Sequence, residues 1–336
     1  CDDLGMRHVG SFSAETHDLL RGENRSVLRL FAAEFFDTIE RGTRPPKAYA
    51  PVAWREFDYA PGPAQEKLDP GGKKVLVVTD SEDGQTNLIR MVERFRSSFV
   101  GDIELVNLHD VDIKGPCLGC IQCGYDNHCV YEGKDGYVDF FNTKVKTADI
   151  LVWAGTIRDR YLSSTWKLFL DRSFFNCHAP SLTGKQMGFI ISGPLSQLQN
   201  LRQMLKGYAQ FQHANLGGFV TDEFGDSAGI DDSLQDLARR LTRLADTGYA
   251  SPHTFLGVGG EKVLRDAIWG RLRFPFRADF VAYRRSGAFD FPQKEWKSRI
   301  QNGLMLFLSK FPGFRKEVNK RMKSEMIKPF RKVLED

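Results

Sequence analysis

Four of the six cysteines fall within thirteen consecutive positions of the 336-residue sequence. They are Cys117, Cys120, Cys123 and Cys129, with the spacing C-x2-C-x2-C-x5-C. Three thiolates in seven residues and a fourth shortly after can surround one compact cluster from a single loop, and iron–sulfur clusters are held by such runs. A structural zinc site more often divides its ligands between two C-x2-C pairs. The spacing therefore favours an iron–sulfur cluster, with zinc, a redox dithiol pair and metal-free cysteines as alternatives.

The two other cysteines, Cys1 and Cys177, stand apart from this group. A disulfide framework would distribute its pairs along the chain, so the cysteine usage indicates reduced thiols. Cys177 follows the next predicted helix, so we expect it to lie outside the metal site. The sequence does not open with a basic segment and a short apolar one, so no export signal is predicted and the expected location is the cytoplasm.

Polar, glycine-bearing loops follow three of the predicted strands. In open α/β sheets, ligands bind beyond the carboxyl ends of the strands, and free N–H groups at a helix N-terminus can seat a phosphate. The candidate cofactor-binding residues are Ser81, Gly84, Gln85 and Thr86 after the first strand, Gly155, Thr156, Ile157 and Arg158 after the third, and Ser192 and Gly193 after the fourth.

Two features of these loops limit the interpretation. Glu82 and Asp83 would repel an anion unless they point outward, and the first loop taken alone is equally typical of an ordinary helix cap. No G-x-G-x-x-G follows a strand, so a Rossmann dinucleotide site is not supported.

The elements that position these residues alternate between strands and helices. Short Val- and Ile-rich runs predict strands at 74–80, 103–108, 149–154, 186–192 and 216–220. Helical patterns lie between or after them at 87–98, 164–174, 197–208 and 232–245. This alternation implies βαβ crossovers and predicts an α/β, flavodoxin-like, doubly wound five-stranded parallel sheet.

Composition divides the chain into four parts. Residues 1–44 form a strand–helix segment, interpreted either as a remnant of a preceding flavodoxin-like unit or as a chance similarity. A Pro- and Gly-rich linker occupies 45–72, the flavodoxin-like domain with the polar loops and the clustered cysteines 73–250, and a basic helical extension 251–336.

The overall composition is that of a soluble globular protein, with 41% hydrophobic and 27% charged residues. A net charge of +4 is too small for a dedicated nucleic-acid binder, so no nucleic-acid partner is expected. Residues 261–336 carry 19 Lys and Arg against 9 Asp and Glu. This basic part has the character of a segment that contacts a membrane surface or an acidic partner, although a solvated helical cap is the favoured interpretation.

The cysteine spacing and the polar loops together resemble the iron–sulfur flavoproteins, within the flavodoxin-like, NAD(P)H-dependent FMN reductases. The resemblance covers about residues 74–248 and is most specific at the four cysteines, which match the family's C-x2-C-x2-C-x(4–7)-C motif. Lys167, Asp171 and Arg172 match its second loop. The first loop matches loosely, because acidic residues stand where the family has a basic one.

This resemblance implies a flavin-dependent oxidoreductase that passes electrons between FMN and a [4Fe-4S] cluster held by the four cysteines. It implies NAD(P)H or a ferredoxin as redox partner, and a homo-oligomer in which the cluster of one subunit faces FMN in its neighbour. Because the cysteines follow the second strand, we expect the cluster at the same sheet edge as the flavin loops. The alternatives are an NAD(P)H-dependent FMN or quinone reductase without a cluster, and a zinc-stabilised interaction module.

Overall fold

The computed structural model describes residues 5–14, 18–47, 49–82 and 86–328. Its sheet consists of β1 (Val75–Thr79), β2 (Glu104–Asn107), β3 (Ile150–Thr156), β4 (Gln186–Ser192) and β5 (Asn215–Thr221). Every neighbouring pair is parallel and the order is β2-β1-β3-β4-β5. This is the strand order of the flavodoxin-like class, so the predicted fold is confirmed.

Helices cover both faces of the sheet, as a parallel sheet requires. On one face lie α2 and α7, which contribute Leu88, Phe95, Leu234 and Leu241 to the core there. On the other face lie α5 and α6. The helices up to β5 and directly after it are α1 (Gly22–Glu40), α2 (Thr86–Arg96), α3 (Cys123–Asp126), α4 (Tyr137–Phe140), α5 (Ser164–Arg172), α6 (Gln199–Phe211) and α7 (Ser227–Asp246).

The connection from β2 to β3 is irregular and is not formed by one long crossover helix. It contains α3, α4 and a π-helical turn at Phe141–Val145 that continues α4. Tyr137 and Phe141 are fully buried and pack against Phe169 of α5. Short 3₁₀ helices occur at Asp18–Leu20, Leu108–Asp110, Ser173–Asn176, Leu195–Gln197 and Pro292–Lys294.

The segment before β1 does not behave as a free linker. Within it, residues 53–62 lie across the carboxyl edge of the sheet and hydrogen-bond to elements there. Tyr59 is fully buried, its N–H donates to Asn87 at 2.9 Å, and its hydroxyl bonds Asp231 of α7. Residues 5–14 form no strand, while 1–4 and 15–17 lie outside the described residues.

The C-terminal part is helical, as predicted, and its first two helices pack on the sheet domain. The two helices after them expose apolar side chains. The four helices are α8 (Phe255–Trp269), α9 (Arg277–Ser286), α10 (Trp296–Leu308) and α11 (Pro312–Ile327). α8 packs on α6 and α9 on α3. Leu306 and Phe307 of α10 are exposed. Across the described residues, none of the helices has the length and apolar character needed to cross a membrane.

Candidate functional site

Asp222, which directly follows β5, organises the carboxyl edge of the sheet. Its carboxylate accepts hydrogen bonds from the Ser192 hydroxyl at 2.7 Å, the Gly193 N–H at 2.7 Å and the Asn87 side-chain amide at 3.0 Å. These three donors belong to the end of β4, the loop after it and the start of α2. One buried carboxylate therefore fixes the relative positions of two loops that the sequence predicted to bind the cofactor.

The loops after β3 and β4 meet at Gly193. The Ile157 N–H donates to the Ser192 carbonyl at 2.9 Å. Gly193 has φ +116°, and a Cβ there would lie 3.0 Å from the Trp54 ring and 3.1 Å from Ile157. Both its backbone conformation and the close approach require glycine. The structure thus brings together Ile157, Ser192 and Gly193 of the predicted set.

Asp80 lies buried at the end of β1. Burial raises the pKa of its carboxyl group, and the hydrogen bond that Oδ2 accepts from the Ser163 hydroxyl opposes this. Oδ1 of Asp80 has no hydrogen-bond partner among the described residues. A buried carboxylate oxygen without a donor is costly, so it is expected to meet a ligand hydroxyl or water.

The structure describes only part of the first loop that the sequence predicts to bind a phosphate. Gly84 and Gln85, with Asp83, lie outside the described residues, and α2 begins at Thr86. Ser81 is half-buried, and its carbonyl accepts a hydrogen bond from Asn107 at 2.8 Å. Glu82 forms an ion pair with Arg158 of the second loop at 3.5 Å, so this carboxylate is partly neutralised.

Gly155 lies within β3 and not in a free loop; β3 ends at Thr156. A Cβ at Gly155 would come within 2.6 Å of Nε1 and 2.9 Å of Cδ1 of the Trp166 ring. Gly155 therefore contacts α5. Because it has no side chain, Trp166 can pack on the sheet at this position.

Sequence reasoning missed the residues that cover this edge from the preceding segment. A cleft of about 400 Å³ is lined by Trp54, Arg55 and Phe57 as well as by the loops after β4 and β5. Ala53 and Gln197 exchange two hydrogen bonds of 2.9 Å, and Arg55 donates to the Phe224 carbonyl at 2.7 Å. The signal that could have revealed them is the aromatic content of the segment before β1, whose prolines and glycines otherwise indicate a linker.

The four clustered cysteines line one small cavity. Cys117 and Cys120 are exposed, Cys129 is half-buried and Cys123 is buried. The loop turns sharply through Gly119 and Ile121, which both have φ near +60°. The four residues that the spacing predicts to be cluster ligands thus lie around one cavity, and their role as ligands stays a prediction.

Cys177 is a neighbour of this loop that the sequence did not reveal. Its thiol donates to the Cys123 carbonyl at 3.2 Å. The interaction with the Cys177 side chain lowers the pKa of Cys123 to about 7, while the pKa of Cys177 itself is raised. Cys177 does not line the cavity that the other four share.

Arg172 places a buried positive charge beside the thiols. It lines the same cavity and binds the Asp135 carboxylate through two hydrogen bonds of 2.7 and 3.1 Å. Its guanidinium also stacks on Tyr131 and Tyr137, 4.2 and 4.9 Å from the ring centres. The Asp135 carboxylate balances the charge of this guanidinium, and the buried pair forms one wall of the cavity.

The expected position of the cysteines at the flavin edge is wrong. α5 starts at that edge, where Ser163 bonds Asp80, and ends beside the cysteine loop, where the Cys123 thiol contacts the Phe174 carbonyl at 3.7 Å. Nine helical residues span about 13 Å. The chain leaves β2 at the carboxyl edge of the sheet and then runs alongside α5 towards its C-terminal end. The polar loops and the cysteine loop therefore lie at opposite ends of that helix.

The segment 74–226 matches the model of the NADPH-dependent FMN reductase family. The match covers somewhat less than half of the chain and includes every strand of the sheet, the three polar loops and the cysteine loop. It supports this family for the sheet domain and identifies a flavin-dependent oxidoreductase. Among curated proteins, none matches the sequence significantly.

Several solved structures are similar to this chain. RosB with a bound 8-demethyl-8-formylriboflavin-5'-phosphate is 14% identical, covers 58% of this chain and 88% of its own, and has a TM-score of 0.41. The Trp repressor binding protein from Bacillus subtilis is 20% identical, with coverages of 50% and 97% and a TM-score of 0.34. An FMN-dependent NADH-azoreductase from Bacillus anthracis in complex with FMN is 14% identical, with coverages of 52% and 100% and a TM-score of 0.37.

Proposed function

We propose that this protein is an iron–sulfur flavoprotein that passes electrons between FMN at the carboxyl edge of the sheet and a [4Fe-4S] cluster on the cysteine loop. The observation that carries the proposal is that all four cysteines of the motif line one cavity beside the buried Arg172. They do so within a segment that matches an FMN reductase family.

The residues at the carboxyl edge fit FMN. Oδ1 of Asp80 lacks a donor among the described residues, and a ribityl hydroxyl would supply one. The first-turn N–H groups of α2 suit the phosphate, and the backbone at Ile157 and Gly193 offers a surface for the ring. When bound, FMN accepts two electrons as a hydride and releases them singly. The role of this chain is to orient the cofactor and to hold its hydroxyl and phosphate groups.

The sulfur atoms of the cysteine loop are not arranged around a single zinc ion. Sulfur atoms around tetrahedral zinc lie about 3.8 Å apart, as follows from a Zn–S bond of about 2.3 Å. No three of the four cysteines, all of which are described, have their sulfur atoms within 4.8 Å of one another. A four-iron cluster holds its thiolates farther apart, because each one binds a different iron.

The exposed side of the cysteine loop suits a one-electron partner. Leu118, Ile121 and Tyr125 are all exposed around Cys117 and Cys120. A ferredoxin-type protein can approach this apolar surface closely, whereas NAD(P)H would deliver hydride at the other end of α5. Free thiols of this kind persist in a reducing compartment such as the cytoplasm.

The decisive experiment is anaerobic purification followed by the visible spectrum and by iron, sulfide and FMN counts. We expect flavin bands, a broad brown absorbance, and four irons and four sulfides per chain. Cys120→Ala is expected to lose most of the iron while keeping FMN. A protein that binds FMN but no iron would instead be a reductase of flavins or quinones. A colourless protein that binds zinc would be an interaction module. Either result overturns the proposal.

Electron flow is tested by stopped-flow reduction of the same variant. Reduction of its FMN by a reduced ferredoxin should slow at least tenfold, while reduction by NAD(P)H should stay at the wild-type rate. Equal rates with the ferredoxin would contradict a relay through the cluster.

A further inference from the structure

A second group of metal-ligating side chains lies away from both sites just described. It consists of His213, His253 and Glu261, whose ligand atoms all lie within 4.8 Å of one another. His213 connects α6 to β5, His253 precedes α8, and Glu261 lies on α8. Two imidazoles and a carboxylate form a ligand set typical of zinc sites that keep a position open.

The distances within this group are those of ligands around an ion. Nε2 of His213 lies 3.7 Å from Oε1 of Glu261, and Nδ1 of His253 lies 3.6 Å from Oε2. Both distances are too long for hydrogen bonds. Ligand atoms around tetrahedral zinc lie about 3.4 Å apart, given bonds of about 2.1 Å. The two imidazole nitrogens therefore approach the two oxygens of one carboxylate without bonding to it, and the centres of the two imidazole rings lie 4.7 Å apart.

The surrounding structure holds these ligands in place. His213 has φ +54°, a conformation that costs free energy for a side chain other than glycine. Gln210 of α6 accepts a hydrogen bond from the Thr254 hydroxyl at 2.8 Å, which ties the residue after His253 to α6. A Cβ at Gly257 would lie 2.4 Å from that same amide oxygen, so glycine permits the close approach of α8.

The group lies at the wall of a large cavity. The cavity measures about 690 Å³, and its lining includes all three ligands together with Arg202 and Lys206 of α6. A metal ion held by three protein groups would complete its coordination with water or with an oxygen of a bound molecule. The two cations on the same wall favour an anionic molecule.

We propose that His213, His253 and Glu261 form a binding site for a divalent ion of the zinc class, with a coordination position open to this cavity. The ion links the α6–β5 connection to the C-terminal helix α8, and so fastens the C-terminal part to the sheet domain. Imidazole and carboxylate ligands suit Zn²⁺ and Co²⁺ and disfavour Mg²⁺ or Ca²⁺, which prefer all-oxygen sites.

Co²⁺ added to the full chain, with its cysteines occupied by iron, tests this site. We expect one Co²⁺ per chain, with visible d–d bands and no thiolate charge-transfer absorption. His253→Ala and Glu261→Gln should weaken binding 10- to 100-fold, and Zn²⁺ should raise the melting temperature of the wild type but not that of Glu261→Gln. His8→Ala, at an exposed histidine elsewhere, is the matched control and should change nothing.

Two outcomes would overturn the site. The first is absence of Co²⁺ uptake by the wild type. The second is unchanged affinity in both ligand variants, with folding confirmed by circular dichroism. Glu261→Gln keeps the size and the hydrogen-bonding capacity of the side chain, so its loss of binding would not reflect a failure to fold.

Discussion

At the scale of single residues, the sequence predicts the ligands of the cysteine loop but not the residues around it. The spacing of Cys117 to Cys129 places the four side chains on one short loop, and in the structure they line one cavity. The contacts of Arg172 and Cys177 come from α5 and the turn after it, over 40 residues away in sequence. No local pattern encodes such long-range contacts.

The first residue-scale prediction concerns the buried pair of Arg172 and Asp135, both almost fully buried. Asp135→Asn leaves the guanidinium without a counter-charge, and breaking a buried pair typically costs about 3–5 kcal/mol. Urea unfolding measures this loss. The control is Asp171→Asn on α5, the helix that carries Arg172. The ion pair of Asp171 with Lys167 is exposed, so this substitution should lower the free energy of unfolding by at most about 0.5 kcal/mol. Similar losses in both variants would refute the assigned role of Asp135.

The same pair makes stability depend on pH. Burial by itself would raise the pKa of Asp135, but hydrogen bonds from Arg172 and the Lys114 N–H outweigh it and lower the pKa. A group with a depressed folded pKa stabilises the protein fully above its unfolded pKa, about 3.9, and loses this contribution as the pH falls through the folded value. The difference in unfolding free energy between wild type and Asp135→Asn should therefore shrink below about pH 4.

A second residue-scale prediction separates Cys177 from the cluster ligands. Cys177 contacts Cys123 but does not line the shared cavity, and its raised pKa keeps it a neutral thiol. Cys177→Ser should therefore retain the wild-type iron content, whereas Cys123→Ser should lose most of it. Iron and sulfide counts of the two anaerobically purified variants decide the matter. Equal loss of iron from both would make Cys177 part of the site.

At the scale of elements, strands were predictable wherever they are buried on both faces. The predicted span 186–192 coincides with β4, and 74–80 and 149–154 differ from β1 and β3 by at most two residues. The covering segment at 53–62 was not predictable, because its prolines and glycines have the composition of a linker. Burial of Tyr59 depends on Asp231 and Asn87, which are distant in sequence.

The element-scale prediction concerns the packing of α5 on β3. Gly155→Ala would place a methyl group 2.6 Å from the Trp166 ring, and overpacking of this kind costs about 1–3 kcal/mol. Gly207→Ala in α6, where nothing lies within 4 Å, is the control and should stabilise the protein by up to about 1 kcal/mol. Thermal unfolding reports both effects. FMN affinity should survive in Gly155→Ala; its loss at unchanged stability would instead make Gly155 a cofactor contact.

At the scale of the whole molecule, the C-terminal helices are part of the cysteine site's surroundings. A Cβ at Gly124, next to Cys123, would lie 2.1 Å from the Pro275 carbonyl, so the chain before α9 rests directly on the loop. Asp279 of α9 is fully buried and bonds His178 at 2.6 Å. The C-terminal part therefore covers one side of the loop and leaves Cys117 and Cys120 exposed on the other.

The separation of the two sites within one chain bears on where electrons go. About 13 Å of helix lies between the flavin edge and the cysteine loop. Cys117 and Cys120 are exposed, and the exposed apolar side chains beside them suit contact with another molecule. We therefore expect the cluster of one copy to serve the FMN of a second copy, in an oligomer.

Complementation between two defective variants tests this arrangement. Cys120→Ala should bind FMN without a cluster. Gly193→Val should bind a cluster without FMN, because a branched side chain at φ +116° would collide with Trp54 and Ile157. Co-expressed, the two form mixed oligomers in which an intact cluster of one chain faces an intact FMN of the other. Reduction of FMN by a reduced ferredoxin should then be at least fivefold faster than in Cys120→Ala alone. If the mixed oligomers, verified by size and by differential tags, stay at the rate of Cys120→Ala, transfer between copies is wrong, and the electrons must travel the length of α5 within one chain.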